Sequence, residues 1–115
     1  MDKRIINTTK APAPIGPYNQ AIISNNMIFI SGQIALHPAT NELISGDISA
    51  ETHQVMHNLH EILEEAGLNF NHVVKTTIFL KDMALFAKVN EVYGSYFSAD
   101  YPARRRWQSK DYPKM

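Results

Sequence analysis

Some residues in this chain have types and spacings that could do chemistry. His53, His57 and His60 stand at i, i+4 and i+7, which on a helix gathers three imidazoles that could hold a metal ion. A solvated polar face explains the same spacing. No second cluster of acids or histidines is placed to complete a site, so we read these residues as surface and expect no metal. Arg104-Arg105-Arg106, with Trp107 and Tyr112 nearby, mixes cations and rings as single-strand nucleic-acid binders do. The run is too short, and the rest of the chain too neutral, for that function. Tyr18 and Ser31 bring hydroxyls to the two ends of a glycine-flanked stretch, GPYNQAIISNNMIFISG. Each candidate also has an ordinary account. A lone arginine such as Arg104 is a solvated charge, Tyr18 is a half-buried core ring, Ser31-Gly32 is a turn, and Asn90 bonds to local backbone.

Composition narrows the classes. The chain has 115 residues, 44% hydrophobic and 19% charged, with a formal net charge of zero. That is ordinary globular composition and the length of one domain, whose thin core would gain from association. Zero net charge argues against a general nucleic-acid or membrane-surface binder. There is no cysteine, so disulfides and thiolate catalysis are excluded. The start, MDKRIINTT, lacks the apolar segment of a signal peptide, and no run approaches the roughly 20 apolar residues that span a bilayer. The expectation is a cytoplasmic protein that makes no membrane contact.

The elements that must position the candidates follow from periodicity. Lys3–Asn7 is a short strand, and the proline-rich Thr8–Gly16 is an extended loop. Ala21–Ile23 and Met27–Ile30 form a hairpin whose Asn25-Asn26 pair tolerates the positive φ of a type I′ turn. Ala35–Gly46 is turn-rich, with Leu43-Ile44 as anchors. Ser49 is the expected N-cap of a helix with an apolar face of Val55, Met56, Leu59, Ile62, Leu63 and Ala66, closed by Gly67. Val73–Leu80 lacks clean alternation and predicts a strand buried on both faces. Asp82 caps a second helix, whose apolar side runs from Leu85 to Phe97 and carries Asn90 at its edge. The fold class is α+β, with two helices packed on one face of a sheet.

Several of these segments resemble the Rid (YjgF-like) family of reactive intermediate deaminases: APAPIGPYNQAI, FISGQI, VVKTTIFLKDM, FAKVNEVYGSYF and YPAR. The resemblance covers residues 5–104 in the family's order and spacing. It implies a chorismate-mutase-like fold and a homotrimer with a ligand pocket at each subunit interface. It also implies cofactor-free hydrolysis of 2-imino acids, such as 2-iminobutanoate and 2-iminopropanoate, to 2-keto acids and ammonia. By the same resemblance Arg104, in Pro-Ala-Arg, is the carboxylate-binding fork, a role that suits the planar guanidinium. Tyr18 turns its hydroxyl into the pocket, Ser31 and Gly32 line it with backbone, and Asn90 offers an amide. Tyr18 and Arg104 are the catalytic pair. Two other functions stand beside this one: a non-catalytic trimer that binds small carboxylates or a partner, and a ribonuclease or translation inhibitor, which family members are also held to be.

The resemblance fails after Arg104. The family continues with a Ser/Thr-Thr-Val strand, Leu-Pro-Lys-Asp and a last strand whose acidic residue positions the attacking water. Here the tail is RRWQSKDYPKM. Regrouping its degenerate codons by one base permits Ser/Thr, Thr, Val, Ala, Ile/Val, Lys, Gly, Leu, Pro, Lys, Asp. We therefore divide the chain into a Rid-like domain, residues 1–104, and a frame-shifted tail, residues 105–115. The family's last strands are expected to be missing, and residues 105–115 to form no well-paired strand. Loss of a general base costs about 10²–10⁴ in rate, so this chain is expected to be an impaired enzyme.

Overall fold

The computed structural model describes residues 2–98 and 100–108. Strands β1 (Arg4–Ile6), β2 (Ala21–Ser24) and β3 (Met27–Ile30) form an antiparallel sheet in the order β1-β2-β3. The β2–β3 turn is the expected one: Asn25 and Asn26 have φ of 52° and 62°, and Ser24 pairs with Met27. Between the first sheet and the rest runs α1 (Ile48–Glu65). Strand β4 (Lys75–Leu80) leads to α2 (Phe86–Gly94), and β5 (Ala103–Gln108) returns to lie parallel to β4.

Local chemistry sets the helix ends, with two corrections. Asp47, not Ser49, is the N-cap of α1; its carboxylate accepts the Ser49 N–H at 3.0 Å. A carboxylate there faces the positive end of the helix dipole. At the other end Ala66 is the C-cap and Gly67, at φ +76°, the left-handed residue after it. The Leu68 N–H reaches the Leu63 carbonyl and the Gly67 N–H that of Glu64, the paired closure of a Schellman motif. Asp82 caps not α2 itself but the single-turn helix that leads into it, accepting the Ala84 N–H at 2.9 Å, and α2 starts after Leu85 with no side-chain cap.

The core has two parts. Ile6, Ala11 and Ala21 pack on Ile62 of α1, which is fully buried. On the other side of α1, Met56 packs with Tyr93 and Phe97, joined by Phe70 and Ile78. Two expectations fail here. Strand β4 is not buried on both faces: Lys75, Thr77 and Phe79 are exposed, alternating with Thr76, Ile78 and Leu80. Among the described residues the covered face is the one toward α2. Nor is the strand after Arg104 missing. Ala103 to Gln108 pair residue for residue with Lys75 to Leu80, because ladder hydrogen bonds come from the backbone and long side chains can stand out from an uncovered face. Residues 109–115, where the rest of the expectation falls, lie outside the described residues.

Candidate functional site

Arg104 and Asn90, the two candidates farthest along the chain, come together. Arg104 is the second residue of β5, and its Nη1 donates to Asn90 Oδ1 at 2.6 Å. The guanidinium carbon lies 4.9 Å from the centre of the Phe86 ring and 5.0 Å from that of Tyr93. Phe86, Asn90 and Tyr93 are i, i+4 and i+7 on α2, one face of the helix. Two rings attract the cation, and the amide fixes its rotation. Asn90 is thus not bonded to local backbone; it holds the arginine. Tyr93 is held in turn by a 2.7 Å hydrogen bond with Thr76 of β4. Among the described residues no carboxylate lies within 4.0 Å of Arg104, whose charge is free to meet an anion.

Tyr18, Ser31 and Gly32 gather elsewhere, at the base of the β2–β3 hairpin. Tyr18 is half exposed, and its hydroxyl accepts the Ile15 N–H at 3.3 Å. The turn beneath the ring needs a glycine: Gly16 has φ +121°, and Tyr18 N–H closes on its carbonyl at 2.9 Å. Ser31 Oγ donates to the Asn19 carbonyl at 2.7 Å and Ser31 N–H to that of Gln20 at 2.9 Å. Nothing lies within 4 Å of where a Cβ on Gly32 would point. Among the described residues no backbone closes on that glycine. Among the described residues the hydrogen bonds of Tyr18 and Ser31 stay within residues 15–33, while the side-chain bond of Arg104 runs to α2. Within one chain the two groups of predicted residues are held by separate elements.

Sequence reasoning missed the residues that hold these two groups in place. Gln20 is 2% exposed. Its Nε2 donates to the carbonyls of Thr8, Ala11 and Pro12, and its Oε1 accepts the Thr8 N–H at 2.6 Å. It thereby ties the proline-rich loop to the strand that follows Tyr18. Asn58, fully buried on α1, donates to the carbonyls of Ile34 and Leu36 and pins the segment after Gly32. The signal for Gln20 was a polar side chain at the head of an apolar strand. Phe86 and Tyr93 were visible at helical spacing around Asn90, but they were assigned to the core alone.

The helix histidines are otherwise engaged. His53 Nδ1 shares a hydrogen bond with Tyr96 Oη at 2.8 Å, and His60 and His57 lie 3.1 Å and 3.8 Å from Glu64 and Glu61. Burial raises the Tyr96 pKa above its ordinary value near 10. Among the described residues no group of acids and histidines could hold a metal, and no helix is long and apolar enough to cross a membrane. A shallow cavity of about 390 Å³ beside α1, lined by Lys10, His37, Gln54 and His57 among others, includes none of the predicted site residues.

Comparison with known proteins places this geometry among relatives. The endoribonuclease L-PSP family profile matches residues 8–114. A RutC family protein of Pyrococcus abyssi is 51% identical over 99% of this chain and 90% of its own length. The 2-iminobutanoate/2-iminopropanoate deaminase of Mus musculus is 47% identical, over 97% of this chain and 82% of its own. The crystal structure of E. coli TdcF with bound serine superposes with a TM-score of 0.88 at 38% identity, covering 96% of this chain and 89% of that one.

Proposed function

This chain belongs to the endoribonuclease L-PSP family, the YjgF/Rid proteins, and we propose that it hydrolyses small 2-imino acids to 2-keto acids and ammonia. The observation that carries the reading is Arg104. It is a guanidinium seated on two rings, oriented by Asn90 at 2.6 Å, with no carboxylate beside it among the described residues. A planar fork so held is suited to a substrate carboxylate. The names of the mammalian relatives and the serine held by TdcF agree with a ligand of that size and charge.

In the proposed reaction the carboxylate sits on Arg104 and the imine carbon takes up water. The C–N bond of the resulting carbinolamine breaks, the nitrogen leaves as ammonia, and the carbonyl forms. The Tyr18 hydroxyl and the backbone at Ser31-Gly32 close the pocket from the other side. Because separate elements of one chain hold the two groups, with no hydrogen bond between them among the described residues, we assign the pocket to the interface of a homotrimer, each chain lending one half to its neighbour. An apolar row supports this. Ile5, Ile22 and Phe29 face one another across the first sheet, with Ile5 and Phe29 53% and 59% exposed. Phe79 adds exposed apolar area on β4 of the second sheet. Uncovered area of this kind marks a protein interface. No cofactor enters the scheme.

The family's description as endoribonucleases keeps the ribonuclease reading in view, but α1 turns His53, His57 and His60 to Tyr96, Glu61 and Glu64. Neither this nor a purely binding role is favoured by a specific contact. The test is keto-acid release from threonine in the presence of a dehydratase, measured beside the molecular mass in solution. The expected result is faster release from a trimer. A monomer that leaves the rate unchanged while binding 2-ketobutyrate would replace the enzyme with a carboxylate-binding module.

A further inference from the structure

Strand β5 carries more positive charge than a monocarboxylate needs. Side chains on a strand alternate, so Arg104 and Arg106 leave the same face. The structure bears this out. The Arg106 guanidinium carbon lies 4.5 Å from the centre of the Phe86 ring that Arg104 also approaches, at 4.9 Å. Arg105 takes the opposite face and stacks 4.2 Å from the Trp107 ring. Two guanidinium groups therefore lie against one ring, and their separation cannot exceed the sum of their distances to its centre. Among the described residues neither has a carboxylate within 4.0 Å. Like charges so placed repel, and a ring attracts a cation only weakly at an exposed site. A ligand with one carboxylate answers one fork and leaves the other.

Building on the proposed role of Arg104, we infer that Arg106 is a second anion-binding residue, and that the pair selects 2-imino and 2-keto acids with a second carboxylate. A four- or five-carbon dicarboxylate fits the arrangement. One carboxylate meets each fork, and the intervening carbons lie on the apolar face of Phe86. Arg106 is thus a specificity residue, acting on substrate choice and not on the bond-breaking step. The regrouped codons place Thr at this position, so restoring the frame would remove the second charge while keeping a residue that favours strands.

The test is calorimetric titration with 2-oxoglutarate and with 2-ketobutyrate, on the full chain and on Arg106→Thr. The original chain is expected to bind the dicarboxylate about tenfold more tightly, the scale of one charge-assisted contact. Arg106→Thr should bring the ratio close to one, weakening the binding of 2-oxoglutarate more than that of 2-ketobutyrate. Raised salt should erode the dicarboxylate preference first, because it rests on two charges. If Arg106→Thr does not fold, Arg106→Gln serves in the same comparison. A ratio near one in the original chain, or a preference that neither substitution moves, overturns the inference while leaving the carboxylate role of Arg104 standing. Binding of neither acid overturns both.

Discussion

Replacing Arg104 by alanine probes the site most directly. The guanidinium is exposed, yet its direction is set by the 2.6 Å bond to Asn90 and by the rings of Phe86 and Tyr93. A ligand carboxylate would meet a fork already oriented, with little rotamer entropy left to lose. Hydrogen bonds to a charged partner contribute about 1.5–3 kcal/mol. Exposure moves the expectation to the lower end, and about 1.4 kcal/mol is a factor of ten. Arg104→Ala should therefore weaken 2-ketobutyrate binding by about tenfold or more. Arg104→Lys should recover only part, because an ammonium keeps the charge but not the two-pronged geometry. The helices should be untouched: the side chain lies outside the core, and losing its ring contacts costs about 1 kcal/mol at most. Calorimetry gives the affinity, and far-ultraviolet circular dichroism gives the helix content. Unchanged affinity in a folded Arg104→Ala chain would refute the carboxylate role. Asn90→Leu supplies a companion measurement, since loss of the orienting amide should weaken binding by a smaller factor with the charge intact.

Two further outcomes follow from residues behind the site. Gln20→Ala would leave the carbonyls of Thr8, Ala11 and Pro12 and the Thr8 N–H without their side-chain partner. Unsatisfied groups of this kind cost about 1–3 kcal/mol each when buried, so urea unfolding should show a loss of several kcal/mol; a loss below about 1 kcal/mol would mean the loop is held by other contacts. Tyr96 gives a pH test. Its pKa is raised by burial, so above the ordinary tyrosine range the folded chain keeps a proton that the unfolded chain gives up. Stability from this group is whole below about pH 10 and declines as pH rises through the folded-state value. The slope of unfolding free energy with pH in that range should shrink in Tyr96→Phe; an unchanged slope would assign it to other tyrosines or lysines.

Much of the fold was legible because its signals are local. The Asn25-Asn26 turn, the apolar stripe of α1, Gly67 and Asp82 each report on the few residues around them, and backbone sterics within one turn decide them. The N-cap slipped from Ser49 to Asp47 because both residue types can accept the free N–H groups, and only the actual path of the chain picks one. Motif resemblance pointed to Arg104 and Asn90 separately, but not to their contact.

Their meeting belongs to tertiary structure. Residues 86, 90 and 93 share a helix face by local geometry, yet Arg104 reaches that face only because β5 pairs in parallel with β4 beside α2. That pairing also gave the strand after Arg104, which the sequence had led us to expect missing. Backbone amides bond alike beneath arginine or valine, so an unfamiliar run of side chains says little about whether a ladder forms. The open face of β4 was hidden for the converse reason. Apolar side chains declare that they are to be covered, but whether a neighbouring element or a second chain covers them depends on the arrangement of surfaces that come together only after folding.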